Sequence, residues 1–415
     1  MKPASRLAVL TALFFCALPA LQAQESTGFF RKIHKKLTTF SRVYDTTYVY
    51  QADLPRVISP TADLIWTGIQ LHRDISYADE ADYPNFRDLL SAETNLARQL
   101  YKKAGLRFCY GSLALDYSFE LDRHGTARNQ YNNFSFVRPR FGVSFQYYKV
   151  HDYLAGTARI PDLPDEIIDF ESTAPAQLRQ LVFDGFYFFN PGHFSYQATT
   201  GRNVIQRRSG GSWMASVCYT QGEYKFDLAD GIVHEFPDHI GKFQTGAVSL
   251  GGGYSFNWVP YHRDARGVHL KGFRNLTINV TCLPRVSLYN HLFVTEYDYP
   301  SLEEATRMYE REFGHLPSEE ELKTELEDYR LSKGREDETA RDYSFFHPRL
   351  NLSAHVGFIY SWDRFFICAT ADFARYGFRP LETVIWDEDV NWYFKTVTRG
   401  NFYDITAHIQ FNVRF

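Results

Sequence analysis

The side chains best suited to catalysis in this sequence belong to the run His193-Phe194-Ser195. In a β-strand, positions i and i+2 share a face, so the imidazole and the hydroxyl could act together as general base and nucleophile. Spacing alone identifies no third group that would orient the imidazole, which a hydrolytic site normally needs. A lipid hydrolase using His193 and Ser195 is therefore an alternative hypothesis, and the preferred interpretation has no catalytic residue.

A second polar run could bind a divalent cation. His234-Glu235 and His239 come close to the metalloprotease pattern HExxH, but the second histidine is one residue too far along and Pro237 intervenes. With Asp238 these residues form a weak candidate for a metal site, because imidazole and carboxylate suit several metals. We interpret the run as a polar loop and predict neither a metal nor a cofactor. The sequence also lacks the GxSxG and GxxxxGK[ST] motifs.

Three arginines, Arg202, Arg207 and Arg208, surround a turn. Guanidinium groups bind phosphate bidentately, so this cluster could hold lipopolysaccharide or an anionic solute. The alternative is a turn whose charges are simply solvated.

The elements that must position these residues are strands, because apolar and polar side chains alternate over lengths that suit a tilted membrane strand. In the last segment, the odd-numbered residues from Tyr403 to Phe415 are mostly apolar, whereas the even-numbered ones include Asp404, His408 and Arg414. These polar groups would be costly in a dry core without partners, but not in a watery lumen. Alternation also marks residues 111–121 and, more weakly, 64–75, 134–150, 181–203, 211–221, 245–258, 267–293, 348–362, 364–377 and 390–398, joined by turns such as Ser209-Gly210-Gly211 and Arg399-Gly400-Asn401.

This pattern predicts an all-β fold, an antiparallel transmembrane β-barrel of about twelve strands, roughly ten to fourteen, with a short helical insertion. A soluble β-sandwich also alternates and is the alternative. The final strand should expose its odd-numbered residues to lipid. We read Phe411, Val413 and Phe415 as a signal for the barrel-assembly machinery. Four cysteines, Cys109, Cys218, Cys282 and Cys368, are each alone in a strand-like run and are expected to be buried rather than bridged.

Composition excludes several other classes of protein. The 415 residues include 45 basic and 49 acidic side chains, a near-neutral balance that argues against a nucleic-acid partner. Aromatic residues make up 17%, which argues against disorder. Past residue 23 there is no apolar run of about 18 residues that could cross a membrane as a helix.

The first 23 residues predict a signal peptide, with Lys2 and Arg6 before an apolar stretch and a small residue, Ala20 or Ala23, for cleavage. A membrane anchor or a lipoprotein acylated at Cys16 are the alternatives. Residues 24–63 are interpreted as a periplasmic lead-in segment and residues 64–415 as the barrel. The expected location is the outer membrane of a Gram-negative bacterium.

Two stretches break the strand pattern. Residues 301–337, within a predicted insertion at 297–342, hold twelve Asp and Glu against six Lys and Arg. Capping boxes and helical spacing predict a helical hairpin there, with Gly314 ending the first helix. This insertion could be a solvated loop, a lid or a site for a protein partner. A second stretch, Phe86–Lys103, has leucines at roughly helical spacing.

Parity decides the side of the membrane that carries the insertion, because both termini of a bacterial barrel normally lie in the periplasm. Counting Thr383–Trp386 as a separate short strand gives five strands after residue 342 and an extracellular insertion. Without it, four strands would place the insertion in the periplasm. We favour the extracellular side, where barrels carry their long loops.

Several runs resemble a family of Bacteroidota outer-membrane proteins known as domain of unknown function forty-four twenty-one. They are Phe194-Ser195-Tyr196-Gln197-Ala198, Gln206 to Ser212, Gly251-Gly252-Gly253-Tyr254-Ser255-Phe256, Tyr44-Asp45-Thr46-Thr47-Tyr48 and the closing Phe411 to Phe415. The resemblance covers nearly the whole mature chain and implies an outer-membrane barrel of a dozen or so strands, with no assigned activity. The His-x-Ser spacing is also similar to that of outer-membrane phospholipases, although Tyr196-Gln197 replaces their Asn-Gly.

Two functions from different classes follow. The preferred one is a non-enzymatic outer-membrane barrel that acts as envelope structure, narrow solute passage or docking site. Its expected partners are outer-membrane lipid, lipopolysaccharide and the assembly machinery. The alternative is a lipid hydrolase embedded in the barrel.

Overall fold

The structure, a computed structural model, describes residues 32, 35–38, 43–52, 56–79, 81–96, 100–121, 129–152, 154–160, 163–171, 176–200, 203–225, 240–264, 272–298, 300, 302–316, 326, 329–330, 333, 335–345, 348–387 and 392–415. The strands are β1 (Val49–Gln51), β2 (Arg56–Asp79), β3 (Arg87–Leu96), β4 (Tyr101–Tyr110), β5 (Leu113–Glu120), β6 (Gln130–Val137), β7 (Phe141–Asp152), β8 (Leu154–Ile160), β9 (Leu163–Glu171), β10 (Ala176–Phe188), β11 (Val204–Gln206), β12 (Gly210–Lys225), β13 (Ile240–Arg263), β14 (Arg274–Asp298), β15 (Arg335–Phe345), β16 (Leu350–Trp362), β17 (Phe365–Asp387) and β18 (Trp392–Arg414). The helices are α1 (Tyr196–Thr199) and α2 (Leu302–Phe313), and residues 35–38 are also helical.

Among these elements, twelve strands form a closed antiparallel ring. Its order is β2-β4-β5-β6-β7-β10-β12-β13-β14-β16-β17-β18, and β18 returns to pair with β2. At this seam, Arg56 and Phe415 exchange backbone hydrogen bonds, with N···O distances of 3.2 and 3.0 Å. The predicted antiparallel barrel of about twelve strands is confirmed.

The two faces of the ring are as the alternation predicted. On β18, Ile405, Ile409 and Phe411 are exposed on the outside, whereas Thr406, Gln410 and Asn412 are buried inside. β5 repeats the pattern, because Tyr117 and Phe119 are exposed and Ala114 and Ser118 are buried. The outer face is thus apolar and the inner face largely polar.

The two ends of the ring differ. The proximal end is the end where Phe415 lies, with the tight turns Gly111-Ser112 and Asp363-Arg364. At the opposite, distal end, five long strands extend beyond the others. Each is 23 to 25 residues long in total, and they are β2, β13, β14, β17 and β18. β3 pairs with the distal half of β2, followed in the same sheet by β8 and β9, and β15 pairs with the distal half of β14. No helix among the described residues is long and apolar enough to span a membrane.

Several predicted boundaries were wrong because strand pairing extends beyond the alternating core. The first barrel strand begins at Arg56, inside the predicted lead-in segment at 24–63. Phe86–Lys103 is not helical: β3 and β4 occupy most of it, each paired with β2, and this pairing overrides a weak helical spacing. Residues 154–160 and 163–171 also form strands.

The strand count after the insertion was also wrong. Thr383–Trp386 is part of β17, which continues past a bulge between Phe378 and Leu381. Arg399-Gly400-Asn401 is no turn but lies within β18, where all three residues pair with β2. Three barrel strands therefore follow the insertion rather than five. Because three and five are both odd, the insertion still lies at the end of the barrel opposite to Phe415.

The insertion contains the first predicted helix, but the predicted bounds 297–342 were wrong, because β14 runs to Asp298 and Arg335–Phe345 pairs with it as β15. α2 ends where Gly314 adopts a φ of 76° and donates its backbone N–H to the carbonyl of Glu310. Leu326 and Tyr329 are also helical, and they pack on Ala305 and Tyr309 of α2. The cysteine prediction holds for Cys109, Cys218 and Cys368, whereas Cys282 is exposed because it lies on the outer face of β14.

Candidate functional site

A folded plug occupies the proximal opening of the barrel. It is made of residues 43–52 and of residues 189–200 and 203–209 in the connection between β10 and β12. Within it, β1 pairs antiparallel with β11, and α1 contacts both β11 and the wall strands β14 and β16. Tyr196, Thr199 and Thr200 of the plug line the lumen. Gln197 donates a hydrogen bond to the carbonyl of Val137 at the end of β6. The plug is therefore attached inside the ring rather than resting on its rim.

Gln206 is the centre of this attachment. Its side-chain Oε1 accepts hydrogen bonds from the backbone N–H of Ser195 and from Nδ2 of Asn257, both at 3.0 Å. Its Nε2 donates to the carbonyls of His193 at 2.7 Å and Arg208 at 2.9 Å. Both donors and both lone pairs of the amide are thus used, and the side chain is fully buried.

Two asparagines of the barrel wall complete this attachment. Asn257 on β13 also donates to the carbonyl of Ser195 at 3.0 Å, and Asn279 on β14 donates to Asn257 Oδ1 at 2.8 Å. A Cβ at Gly210 would collide with the carbonyl oxygen of His193, so glycine allows the plug to approach β12 this closely. We call Gln206, Asn257 and Asn279 the latch.

His193 and Ser195 do not lie on one strand, because the predicted strand at 181–203 ends at Phe188. Ser195 is the N-cap of α1: its hydroxyl is buried, accepts from the backbone N–H of Ala198 at 3.4 Å and lies 3.1 Å from the Tyr44 hydroxyl. The His193 ring is exposed, stacks on Tyr48 and lies 3.7 Å from Asp45. The two side chains thus contact different residues, and no hydrogen bond between them is found among the described contacts.

Arg207 and Arg208 lie on the outer surface of the plug, and Arg202 lies outside the described residues. Arg207 forms a 2.7 Å ion pair with Asp264 and donates to the Thr46 carbonyl at 3.0 Å. A hydrogen bond from His262 and the charge of Arg207 hold the pKa of Asp264 below its usual range. Arg208 is exposed, with its guanidinium 6.0 Å from the centre of the Tyr48 ring. The predicted anion cluster is therefore partly neutralised within the chain.

The weak metal candidates, His234, Glu235, Asp238 and His239, lie outside the described residues. Within the described part of the chain, no group of three or more metal-ligating side chains is placed to hold an ion.

The middle of the lumen is polar, and its charges are largely paired. Around a cavity of about 190 Å³, Arg285 pairs with Asp184 at 2.7 Å and Arg107 with Asp116 at 3.2 Å. Two further pairs, His355 with Asp372 at 2.6 Å and His408 with Asp63 at 2.8 Å, lie on neighbouring strands. Asp404 accepts from the hydroxyls of Thr67 and Tyr148, both at 2.7 Å. Asp404 and His408, which the sequence assigned to a watery lumen, thus have partners on neighbouring strands or across the lumen.

On the distal side of this cavity, apolar side chains pack together inside the ring. They come from β2, β4, β6, β7, β10, β12, β14, β17 and β18, and are Ile65, Ile69, Tyr101, Tyr131, Tyr148, Val150, Ala176, Leu178, Val182, Cys218, Tyr224, Leu292, Val294, Tyr376 and Phe402. Each is nearly or completely buried. We call this set the apolar layer. The apolar layer and the plug at the proximal end thus occupy the lumen at two separate levels.

Sequence reasoning missed the latch and the apolar layer. The signal for the latch was present, because Asn257 and Asn279 are inward-facing amides on adjacent strands and pair directly in the register. The runs that resemble the family meet here: Tyr44–Tyr48, Phe194–Ala198 and Gln206–Ser212 all contribute to the plug or its attachment. Phe411 and Phe415 of the predicted assembly signal are exposed on the outer face.

The ring and its inserted plug define a plugged antiparallel β-barrel protein. A family model described as a domain of unknown function (DUF4421) matches residues 70–298, and the chain belongs to that family. No curated protein matches the chain.

The chain is similar in fold to several solved structures, including the following three. One is the outer membrane protease OmpT from Escherichia coli, at 7% identity over 86% of this chain and 97% of that one, with a TM-score of 0.36. Another is the translocator domain of the autotransporter NalP from Neisseria meningitidis, at 9% identity over 92% and 98%, with a TM-score of 0.28. The third is the Pseudomonas putida toluene transporter TodX, at 7% identity over 90% and 98%, with a TM-score of 0.21. The fold assignment here rests on the strand pairing.

Proposed function

We propose that this protein is an outer-membrane β-barrel of a Gram-negative bacterium, exported by its signal peptide, that is closed at rest and serves as envelope structure and docking site. The outer face supports a membrane location, because large apolar side chains such as Leu64, Leu106, Val280 and Ile409 are exposed around the ring. A soluble protein seldom exposes so continuous an apolar surface. Outer-membrane lipid, and lipopolysaccharide in the outer leaflet, are the partners of this face.

The observation that carries the proposal is the filled lumen. The apolar layer spans strands on all sides of the ring, and the latch holds the plug through Gln206, whose hydrogen-bonding capacity is fully used. An open diffusion channel needs a continuous aqueous path, as in wide porins. Both levels are packed with side chains in the part of the chain that the structure describes, which supports docking and structural roles over solute passage.

The docking surfaces lie at the ends of the ring. The distal end presents α2 and the helical residues packed on it, and the proximal end presents the plug. The outward aromatic residues of the C-terminus support recognition by the barrel-assembly machinery during insertion. The lipid hydrolase with His193 and Ser195 gains no support from the geometry, since the serine hydroxyl caps a helix.

Conductance across a planar bilayer tests the proposal. We expect purified, refolded protein to insert without producing a stable conductance, whereas a porin inserted in parallel conducts. A stable single-channel conductance of the parent protein would contradict a barrel closed at rest.

The latch can be tested in the same preparation. Gln206→Ala leaves the N–H of Ser195 and two carbonyls without a partner, at a cost of about 1–3 kcal/mol, and should accelerate amide hydrogen exchange in residues 204–206. Gln221→Ala is the matched control, because Gln221 is exposed on β12 and should leave that exchange unchanged. Equal exchange in both variants would show that Gln206 does not hold the plug.

A further inference from the structure

Two arginines, Arg263 and Arg274, face each other across the proximal ends of β13 and β14, where they are direct register partners. Both are exposed. The neighbouring register pair, His262 and Asn275, points into the barrel and is joined by a 2.9 Å hydrogen bond. Because successive side chains of a strand alternate between faces, Arg263 and Arg274 project from the outer face.

This pair is unfavourable by itself. Like charges directly opposite each other destabilise an antiparallel pair. Among the described residues, no acidic side chain forms an ion pair with either arginine, and the adjacent Asp264 already pairs with Arg207 and His262. An anion from outside the chain would therefore offset the repulsion between the two guanidinium groups.

The surroundings indicate the level of the membrane at which the pair lies. Tyr261 and Leu276 form the next outward register pair, and exposed Trp258 follows along β13. On the other side, Trp362 is the register partner of Arg274, and it stacks with Tyr360 and Phe365. Belts of Trp and Tyr mark the membrane interface. The arginines thus lie at the proximal edge of an aromatic belt, at headgroup height.

We propose that Arg263 and Arg274 bind the phosphate of an anionic phospholipid in the periplasmic leaflet, with its acyl chains against Trp258, Tyr261 and Leu276. Two planar guanidiniums suit the oxygens of one phosphodiester, which they can hold bidentately. The periplasmic leaflet follows from the tight turns at the proximal end, since outer-membrane barrels keep their short turns in the periplasm. The inference rests on the proposed membrane location and adds a lipid site that this location does not require.

Quenching of tryptophan fluorescence by brominated lipid tests the site, because Trp258 and Trp362 lie beside it. The protein is reconstituted in phosphatidylcholine bilayers in which either the phosphatidylcholine or a minor fraction of phosphatidylglycerol is brominated. We expect brominated phosphatidylglycerol to quench more than its bulk fraction predicts. The double variant Arg263→Gln, Arg274→Gln should lose this enrichment, by about fivefold in relative lipid affinity for each arginine.

A matched control removes two charges elsewhere: Arg307→Gln with Arg311→Gln on α2, both exposed, should retain the enrichment. Heat-dependent mobility on gels verifies that each variant is folded. Enrichment that survives in the Arg263, Arg274 variant would overturn the proposal. If brominated phosphatidylcholine fails to quench at all, the membrane location itself is wrong, a failure that is distinct from loss of phosphatidylglycerol preference.

Discussion

At the scale of single residues, the final strand shows most directly how sequence dictates environment. Its odd-numbered side chains project outward and its even-numbered ones inward, where Asn412 bonds to Ser59 and His408 to Asp63. The alternation alone predicts this assignment, because the side-chain period of a strand is two. The partners could not be predicted in the same way, since Ser59 and Asp63 lie at the other end of the chain.

Ile409 provides the test of the lipid-facing side. Its side chain is 62% exposed on the outer face, so Ile409→Arg should destabilise the folded barrel by about 2–4 kcal/mol if it lies near the bilayer midplane. Urea unfolding in lipid vesicles measures this difference, with Ile409→Leu as the conservative control. An Ile409→Arg protein as stable as the parent would show that this position does not face hydrocarbon.

The latch marks the limit of residue-level prediction. Ser195 was read as a candidate nucleophile because of its spacing from His193, but Ser195 caps α1 and its backbone is held by Gln206 and Asn257. Local spacing carries no information about such contacts. Asn257, for example, is more than about fifty positions from both Ser195 and Gln206. A polar residue in a strand-like run can equally cap a helix once tertiary contacts decide the backbone.

At the scale of elements, the strands of the ring were predictable and the additions to it were not. Alternation identifies β5, β12 and β18 because each has one lipid face and one lumen face. β3 has no lipid face within the ring and pairs instead with the distal part of β2. Its leucines therefore follow no clear period of two, which explains the mistaken helix.

The plug should respond to acid through Asp264. His262 and Arg207 lower the pKa of Asp264 from its ordinary value of 3.8. The carboxylate therefore stabilises the plug fully above pH 3.8, and this stabilisation is lost as the pH falls through the lower pKa of the folded state. Amide exchange in residues 204–208, corrected for the intrinsic effect of pH, should therefore increase only in strong acid. Asp264→Asn should raise this exchange already at neutral pH.

The control for this experiment is Asp88→Asn, which removes an exposed carboxylate at the distal end. It should leave exchange in the plug as in the parent at every pH. If Asp264→Asn behaves like Asp88→Asn, then the ion pair with Arg207 does not hold the plug.

At the scale of the whole molecule, the ring fixes which elements share an end. Three barrel strands follow the insertion, so α2 lies at the end opposite to Phe415. The sequence argument reached the same side from a wrong strand count, because parity depends only on whether the number is odd. The acidic insertion and the plug with its arginines are therefore at opposite ends.

An epitope tag placed after Gly314, which ends α2 on an exposed turn, should be labelled on intact cells. A tag placed after Asp363, in the proximal turn, should be labelled only once the outer membrane is permeabilised. The reverse result would invert the barrel in the membrane and move the Arg263, Arg274 pair to the outer leaflet.

The seam between β2 and β18 also sets the order of events during folding. It joins Arg56 to Phe415, and contacts between residues so far apart in sequence form slowly. Until the last strand arrives, the sheet has two unpaired edges, the sites at which chains aggregate or exchange strands. Residues 43–52 lie immediately before the first of these edges and contact α1 in the proximal opening. The plug thus anchors the chain just before β2, and a chain that lacked β2 or β18 would be left as an open sheet.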